Sequence, residues 1–258
     1  MEKLFTQFEG AFADNTLRAY RSDFQCFAEW CAEQNVNPLS ATPDDLASYV
    51  EFMAHHRKPA TITRRLASIS SVLNLNDLPD PTRASAVKLA VKRMHRQKGR
   101  AQDQAVPLTL DILEKLLAVC GDDLAGQRDR VMLLLGYETM RRRAELCQFC
   151  FEDIEHLPKG KTAIRLRFSK TDQYGQGKLL PISETLLEAV QAWGHHCCHT
   201  GRILRGIYPK GGLRPSMSPA SINLRLKALQ KNACLELNGE LSGHSFRVGA
   251  ALDLLEAG

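Results

Sequence analysis

Five side chains in the second half of this sequence have the types and spacing to handle a phosphate ester. Arg142 and Glu145 stand three residues apart in MRRRAEL, so on a helix they share one face. Lys170 follows in FSKTDQYGQG, and His244 and Arg247, again three apart, close the set in SGHSFRVGA. A phosphodiester under attack spreads negative charge over its non-bridging oxygens. Two guanidiniums offer planar forks of donors that match such oxygens bidentately. An ammonium can give a proton to a leaving oxygen, which a guanidinium cannot do. An imidazole can hydrogen-bond the phosphate or assist proton transfer. Glu145, on the same face as Arg142, can pair with it. Taken singly, each has a plainer reading: a surface ion pair, a solvated hairpin lysine, a structural His and Arg. It is the combination that sets these five apart. Arg141, Arg142 and Arg143 are adjacent, so the register is open; the spacing to Glu145 selects Arg142 and leaves the other two as alternatives.

These residues need elements to hold them. The pattern 107–258 is mixed. Leu110 to Cys120, Arg128 to Tyr137 and Arg142 to Phe149 carry helical periodicity. Ala163 to Phe168 alternates apolar and basic residues, as a strand does, and Lys178 to Ile182 makes a second short strand. The turn cluster between them places Lys170 at a hairpin tip. Helices return at Glu184–His196, Pro219–Ala233 and His244–Leu255. Ser242 or His244 then lies near a helix N-terminus, where backbone N–H groups favour an anion.

Residues 1–100 read as helices alone. One starts at Asn15-Thr16, one at Thr42-Pro43, one at Thr61, and a fourth spans about Thr82 to His95 after two prolines. This last segment carries Arg83, Lys88, Lys92, Arg93 and Arg96, and no acidic residue falls between Asp80 and Asp103. Such a run is either a solvated face or, through its i, i+4 recurrence, a stripe that follows a phosphate backbone. Residues 96–107 lack apolar periodicity and read as a linker between two domains.

Bulk composition agrees with a globular chain. It has 258 residues, enough for two domains, and a net charge of +5, compatible with an anionic partner. The N-terminus is not a signal peptide, and no apolar run reaches the length of a membrane span. The eight cysteines are scattered, so a reducing, cytoplasmic setting is expected and not a disulfide framework. Cys147 and Cys150 form a lone CxxC, which supplies two of the four ligands a structural zinc needs. His195, His196, Cys197, Cys198 and His199 form HHCCH, whose adjacent members point in different directions on a helix. Neither is expected to hold a metal.

Together the motifs resemble those of the tyrosine recombinases, the phage integrase family. There an Arg-x-x-Glu, a hairpin lysine and a His-x-x-Arg surround one phosphodiester, and here Arg142 with Glu145, Lys170, and His244 with Arg247 match them. SGHSFRVGAA is similar to the block of Cre-like members, and SKTDQYGQGKLLPIS to the lysine hairpin. NTLRAYRSDFQCFAEWC and TITRRLASISSVL, followed by LPDPT, resemble the helical core-binding domain. The resemblance covers nearly the whole chain. It implies a mainly α fold: a helical core-binding domain at 1–100, and a mixed α+β catalytic domain with a small antiparallel sheet at 107–258. It implies a partner, double-stranded DNA with an inverted-repeat site, and a tetramer on that DNA. It implies no cofactor, no metal and no membrane. Lys170 would protonate the leaving 5′ oxygen. His244 would bind the phosphate or assist the nucleophile's proton.

Two departures qualify this. The family more often has small or apolar neighbours where Met140, Arg141 and Arg143 flank Arg142. It also continues past His-x-x-Arg to a His or Trp ligand and then the tyrosine nucleophile. Tyr20, Tyr49, Tyr137, Tyr174 and Tyr208 all precede His244. A catalytic domain lacking its C-terminal segment is therefore expected, inactive alone because no 3′-phosphotyrosine forms, and monomeric. The alternative is a non-catalytic, sequence-specific DNA-binding remnant. A type IB topoisomerase or telomere-resolving enzyme would share the pocket, but the compact helical N-terminal domain fits recombinases better.

Overall fold

The computed structural model describes residues 3–100, 104–168 and 177–258. By internal contacts the chain divides into two units, Met1–Asp103 and Gln104–Gly258. Each is taken by itself.

The first unit is helical: α1 (Lys3–Thr6), α2 (Asp14–Glu33), α3 (Pro43–His56), α4 (Pro59–Leu75) and α5 (Ser85–Lys98). The start of α3 shows why the chain turns helical there. The Asp45 N–H donates to the Thr42 hydroxyl at 3.2 Å, the Thr42 N–H donates to the Asp45 carboxylate at 2.8 Å, and Pro43 pre-sets the first turn. The bonds from Thr42 hold the Asp45 carboxyl below the usual range. This cap is therefore complete at neutral pH and is lost as pH falls through that lowered value. Thr42→Ala is expected to lower stability by about 1 kcal/mol in urea denaturation at pH 7, and by less in acid.

Apolar stripes on these helices meet in one core that includes Phe24, Phe27, Leu46, Tyr49, Ile62 and Ile69. A polar knot lies within it: buried Asp23 accepts from Ser68 Oγ at 2.7 Å and pairs with Arg64. Phe5 and Phe8 also enter this core, so α1 is an element that the sequence periodicity, read from Asn15 onward, did not supply.

α5 buries Val87, Ala90 and Met94 and leaves Lys88, Lys92 and Arg96 exposed. Two expectations are corrected here. Arg83 lies in a separate 3₁₀ turn, Pro81–Arg83, which Asp80 caps at the Thr82 N–H at 3.0 Å; extended backbone at Ala84 (ψ 154°) separates it from α5. At the other end α5 runs to Lys98, so the first residues of the expected linker are helical.

The second unit holds α6 (Leu110–Ala118), α7 (Leu124–Thr139), α8 (Arg143–Leu146), β1 (Ile154–His156), β2 (Thr162–Leu166), β3 (Lys178–Ile182), α9 (Glu184–Cys197), α10 (Pro219–Asn232) and α11 (Ser245–Glu256). α7 is the axial element. Val131 to Leu135 are all buried, as in a helix surrounded on every side. The three strands pair antiparallel in the order β1-β2-β3, with Ile164 opposite both Ile154 and Leu180. β1 was not expected. The helix expected over Arg142–Phe149 ends at Leu146; beyond it Cys150 bridges Arg202 and the Phe151 N–H donates to the Gly201 carbonyl at 3.0 Å. Tertiary pairing takes those residues from the helix. The chain is thus mainly α with a small antiparallel sheet. Among the described residues no helix is long and apolar enough to cross a membrane.

Candidate active site

The site is built where α7 ends. Met140 turns the chain with a left-handed backbone (φ 50°), and the three arginines that follow take three different roles. Arg141 Nε donates to the Thr139 carbonyl at 2.7 Å. Arg142 caps α8 in an extended conformation; its N–H and its Nη1 donate to the two oxygens of the Glu145 carboxylate at 3.1 and 2.9 Å. Glu145 is buried (side chain 7% exposed) while Arg142 stays open to solvent at 38%. A carboxylate held inside and a guanidinium held outside is the arrangement that orients a cation for an external anion. Arg143 lies elsewhere, against Gly243.

α11 supplies the second pair. His244 is its N-cap residue and is exposed; Arg247, half-buried, donates its N–H to the His244 carbonyl at 3.1 Å. Ser245 is fully buried and locks the turn: the Ser242 N–H donates to Ser245 Oγ at 2.9 Å, and the Ser245 N–H to the Ser242 carbonyl at 2.8 Å.

Two glycines bring the pairs together. A Cβ on Gly243 would fall 2.1 Å from Arg143 Cγ, so the residue before His244 rests directly on α8. A Cβ on Gly136 would fall 2.6 Å from the Phe246 ring, so the start of α11 sits on the end of α7. Arg142, Glu145, His244 and Arg247 therefore belong to one locus. Lys170 lies outside the described residues, in the connection after the last β2–β3 pair, Leu166 with Lys178. Asn223 of α10 was not singled out from the sequence; its carboxamide accepts the Gly243 N–H at 2.9 Å. Nothing in the sequence marks it, because it reaches the site from another helix.

The remaining candidates sort as follows. Lys88, Lys92 and Arg96 share the exposed face of α5, with Arg83 exposed just before it; Arg93 is engaged by Glu51 at 2.8 Å. Among the described residues no group of three or more His, Cys, Asp or Glu side chains is placed to hold a metal. Cys147 is buried, and burial pushes its thiol up to about 11; Cys150 receives Arg202 instead. His195 and His199 stack edge to face at the end of α9. A separate cavity of about 820 Å³ is lined by Arg128, Tyr208, Arg214 and Arg225, with the Arg214 guanidinium 4.7 Å from the Tyr208 ring centre. Tyr137 donates its hydroxyl to Asp253, and burial, then that bond, raise its pKa.

Residues 106–258 match the phage integrase family, and residues 5–75 match the phage integrase N-terminal SAM-like domain. The chain belongs to the phage integrase family. Among relatives of these tyrosine recombinases, an integrase/recombinase xerD homolog of Selenomonas ruminantium is 30% identical, over 94% of this chain and 74% of its own. The recombinase cre of Escherichia phage P1 is 24% identical over 96% of this chain and 78% of its own. The fold is similar to that of the Tn1549 transposon integrase in complex with transposon right end DNA (TM-score 0.70, 16% identity, 100% of this chain and 85% of that one). It is also similar to a lambda integrase tetramer bound to a Holliday junction (TM-score 0.67, 14% identity, 99% of this chain and 68% of that one). Site-specific recombination by tyrosine recombinase chemistry is thus the activity of this integrase's family.

Proposed function

We propose that Arg142, Glu145, Lys170, His244 and Arg247 hold the scissile phosphodiester of a double-stranded DNA site arranged as an inverted repeat. The observation that carries this reading is the seating of Gly243 on Arg143, which joins the Arg-x-x-Glu and His-x-x-Arg motifs. Arg142 and Arg247 neutralise the charge that develops on the non-bridging oxygens. Glu145 fixes Arg142, His244 binds phosphate or assists the nucleophile's proton, and Lys170 protonates the leaving 5′ oxygen. Residues 1–100 form the core-binding domain and 107–258 the catalytic domain, acting on DNA in the cytoplasm. No cofactor enters this chemistry.

The 258 residues by themselves bind DNA without cutting it, as monomers. All five tyrosines precede His244; Tyr49 is buried and Tyr137 is bonded to Asp253. A nicked suicide duplex carrying the selected site tests this. A complex dissociated by SDS is expected; a covalent adduct would show that one of these tyrosines attacks. A chain that fails to select any DNA site from a random pool sinks the whole reading. Sedimentation without DNA is expected to give a monomer.

The α5 stripe supplies phosphate contacts, assisted by Arg83 and Arg93. Replacing Lys88, Lys92 and Arg96 with Gln is expected to flatten the slope of log K against log salt by roughly 0.9 per contact, about 2.7 in all. An unchanged slope would return α5 to a solvated face.

A further inference from the structure

The chain reaches His244 along one face of α10. Gln230 accepts the Leu241 N–H at 2.9 Å and donates to the Gly239 carbonyl at 3.0 Å. Asn223 accepts the Gly243 N–H at 2.9 Å. Seven residues apart, the two carboxamides stand on the same side of the helix, two turns from each other. They form a polar rail against which the backbone of 239–243 is laid.

The rail is rigid. Ile222, Leu226 and Leu229 bury the adjoining side of α10 in the core, and from the far side Arg225 ties the helix to Asp129 of α7 at 2.7 Å. On its other side Gly243 has no room to move, since Arg143 occupies the space where a Cβ would be. The Gly243 peptide is therefore held between α10 and α8, one residue before His244 and four before Arg247.

We propose that Asn223 is a positioning residue: by holding the Gly243 peptide it sets where His244 and Arg247 meet the phosphate. The proposal rests on the phosphate-binding reading above. Asparagine suits this place chemically. It accepts the N–H as a carboxylate would, but adds no negative charge beside groups that bind an anion. Gln230, which holds Gly239 and Leu241, five and three residues before His244, supports the approach to the pocket and not the pocket itself.

The test uses the 258-residue chain and inorganic phosphate, read by NMR through the His244 imidazole. Phosphate is expected to move the His244 imidazole resonances at fixed pH in the unaltered chain, because the bound anion hydrogen-bonds the ring. In Asn223→Ala the phosphate affinity read this way is expected to fall about fivefold, the value of one hydrogen bond, and Gly243 amide exchange to quicken. Gln230→Ala is expected to lower stability comparably but to leave phosphate affinity near its starting value. If both variants weaken phosphate in step with lost stability, Asn223 is merely structural and the proposal fails. It also fails if Asn223→Ala releases the Gly243 amide yet binds phosphate unchanged. Should phosphate leave His244 unmoved in the unaltered chain, the pocket itself is refuted, and the positioning role with it. If Asn223→Ala does not fold, Asn223→Ser, too short to reach Gly243, carries the same comparison.

Discussion

Gly249→Ala is expected to destabilise the second unit by about 3 kcal/mol or more, the upper range for forcing one methyl group into a filled core. The added carbon would lie 1.8 Å from the Leu108 carbonyl oxygen and 2.0 Å from the carbonyl carbon. Both are backbone atoms, so no side-chain rotation relieves the overlap. The surrounding contacts also resist separation. The Leu108 N–H donates to the Ser245 carbonyl at 3.0 Å, and the Leu110 N–H to the Asp253 carboxylate at 2.8 Å. Either α11 or the 108–110 segment must be displaced, and α11 carries Arg247 two residues earlier. In a thermal scan the midpoint is expected to fall by about 10 °C. Gly121→Ala, whose new carbon would meet nothing closer than 3.7 Å, is the control and is expected to change little. Equal melting of the two variants would mean that α11 is not seated on Leu108.

Removing the Asp129 carboxylate is the second large effect. Asp129 is 1% exposed and accepts from Arg128 Nε at 2.6 Å and from Arg225 Nη2 at 2.7 Å. Arg128 is itself only 5% exposed. Asp129→Ala leaves two guanidiniums facing each other with no counter-charge, one of them out of water. Breaking a buried pair from one side destabilises by about 3–5 kcal/mol. Asp129→Ala combined with Arg128→Leu and Arg225→Leu should recover most of that, since the charges that lost their partner are gone too. Urea denaturation of the two variants checks this; a single variant within 1 kcal/mol of the starting protein (roughly the worth of a surface pair) would rule out the buried network. Because Arg225 belongs to α10, the single variant should also loosen the rail under Gly243.

The sequence showed most of the architecture wherever periodicity was long or caps were strong. Thr42-Pro43 opened α3 at the expected place, and Lys178–Ile182 is a strand with the expected bounds. α1 and β1 escaped because four and three residues are too few to display a period. α8 stops after Leu146 although its apolar spacing continues, because Cys150 and Phe151 are drawn into pairing with residues near 201. At the site, the spacing to Glu145 picked Arg142 from its neighbours, and the structure gives all three arginines separate partners. Gly243 and Asn223 were not legible. Their value lies in who approaches them from distant parts of the chain, which no local pattern encodes.

The seating of Leu108–Leu110 on α11 has a consequence for biosynthesis. Leu108 and Leu110, near the start of the second unit, find their partners as far as 143 positions later. The first unit closes within Met1–Asp103 and can fold while synthesis continues. The second cannot finish until α11 has left the ribosome. At ordinary translation rates that is a delay of roughly 8–30 s after the first unit is made, for most of which the apolar VMLLLG of α7 waits without its cover. Nascent chains of this integrase should therefore lean on chaperones during the second half of their synthesis, and much less during the first.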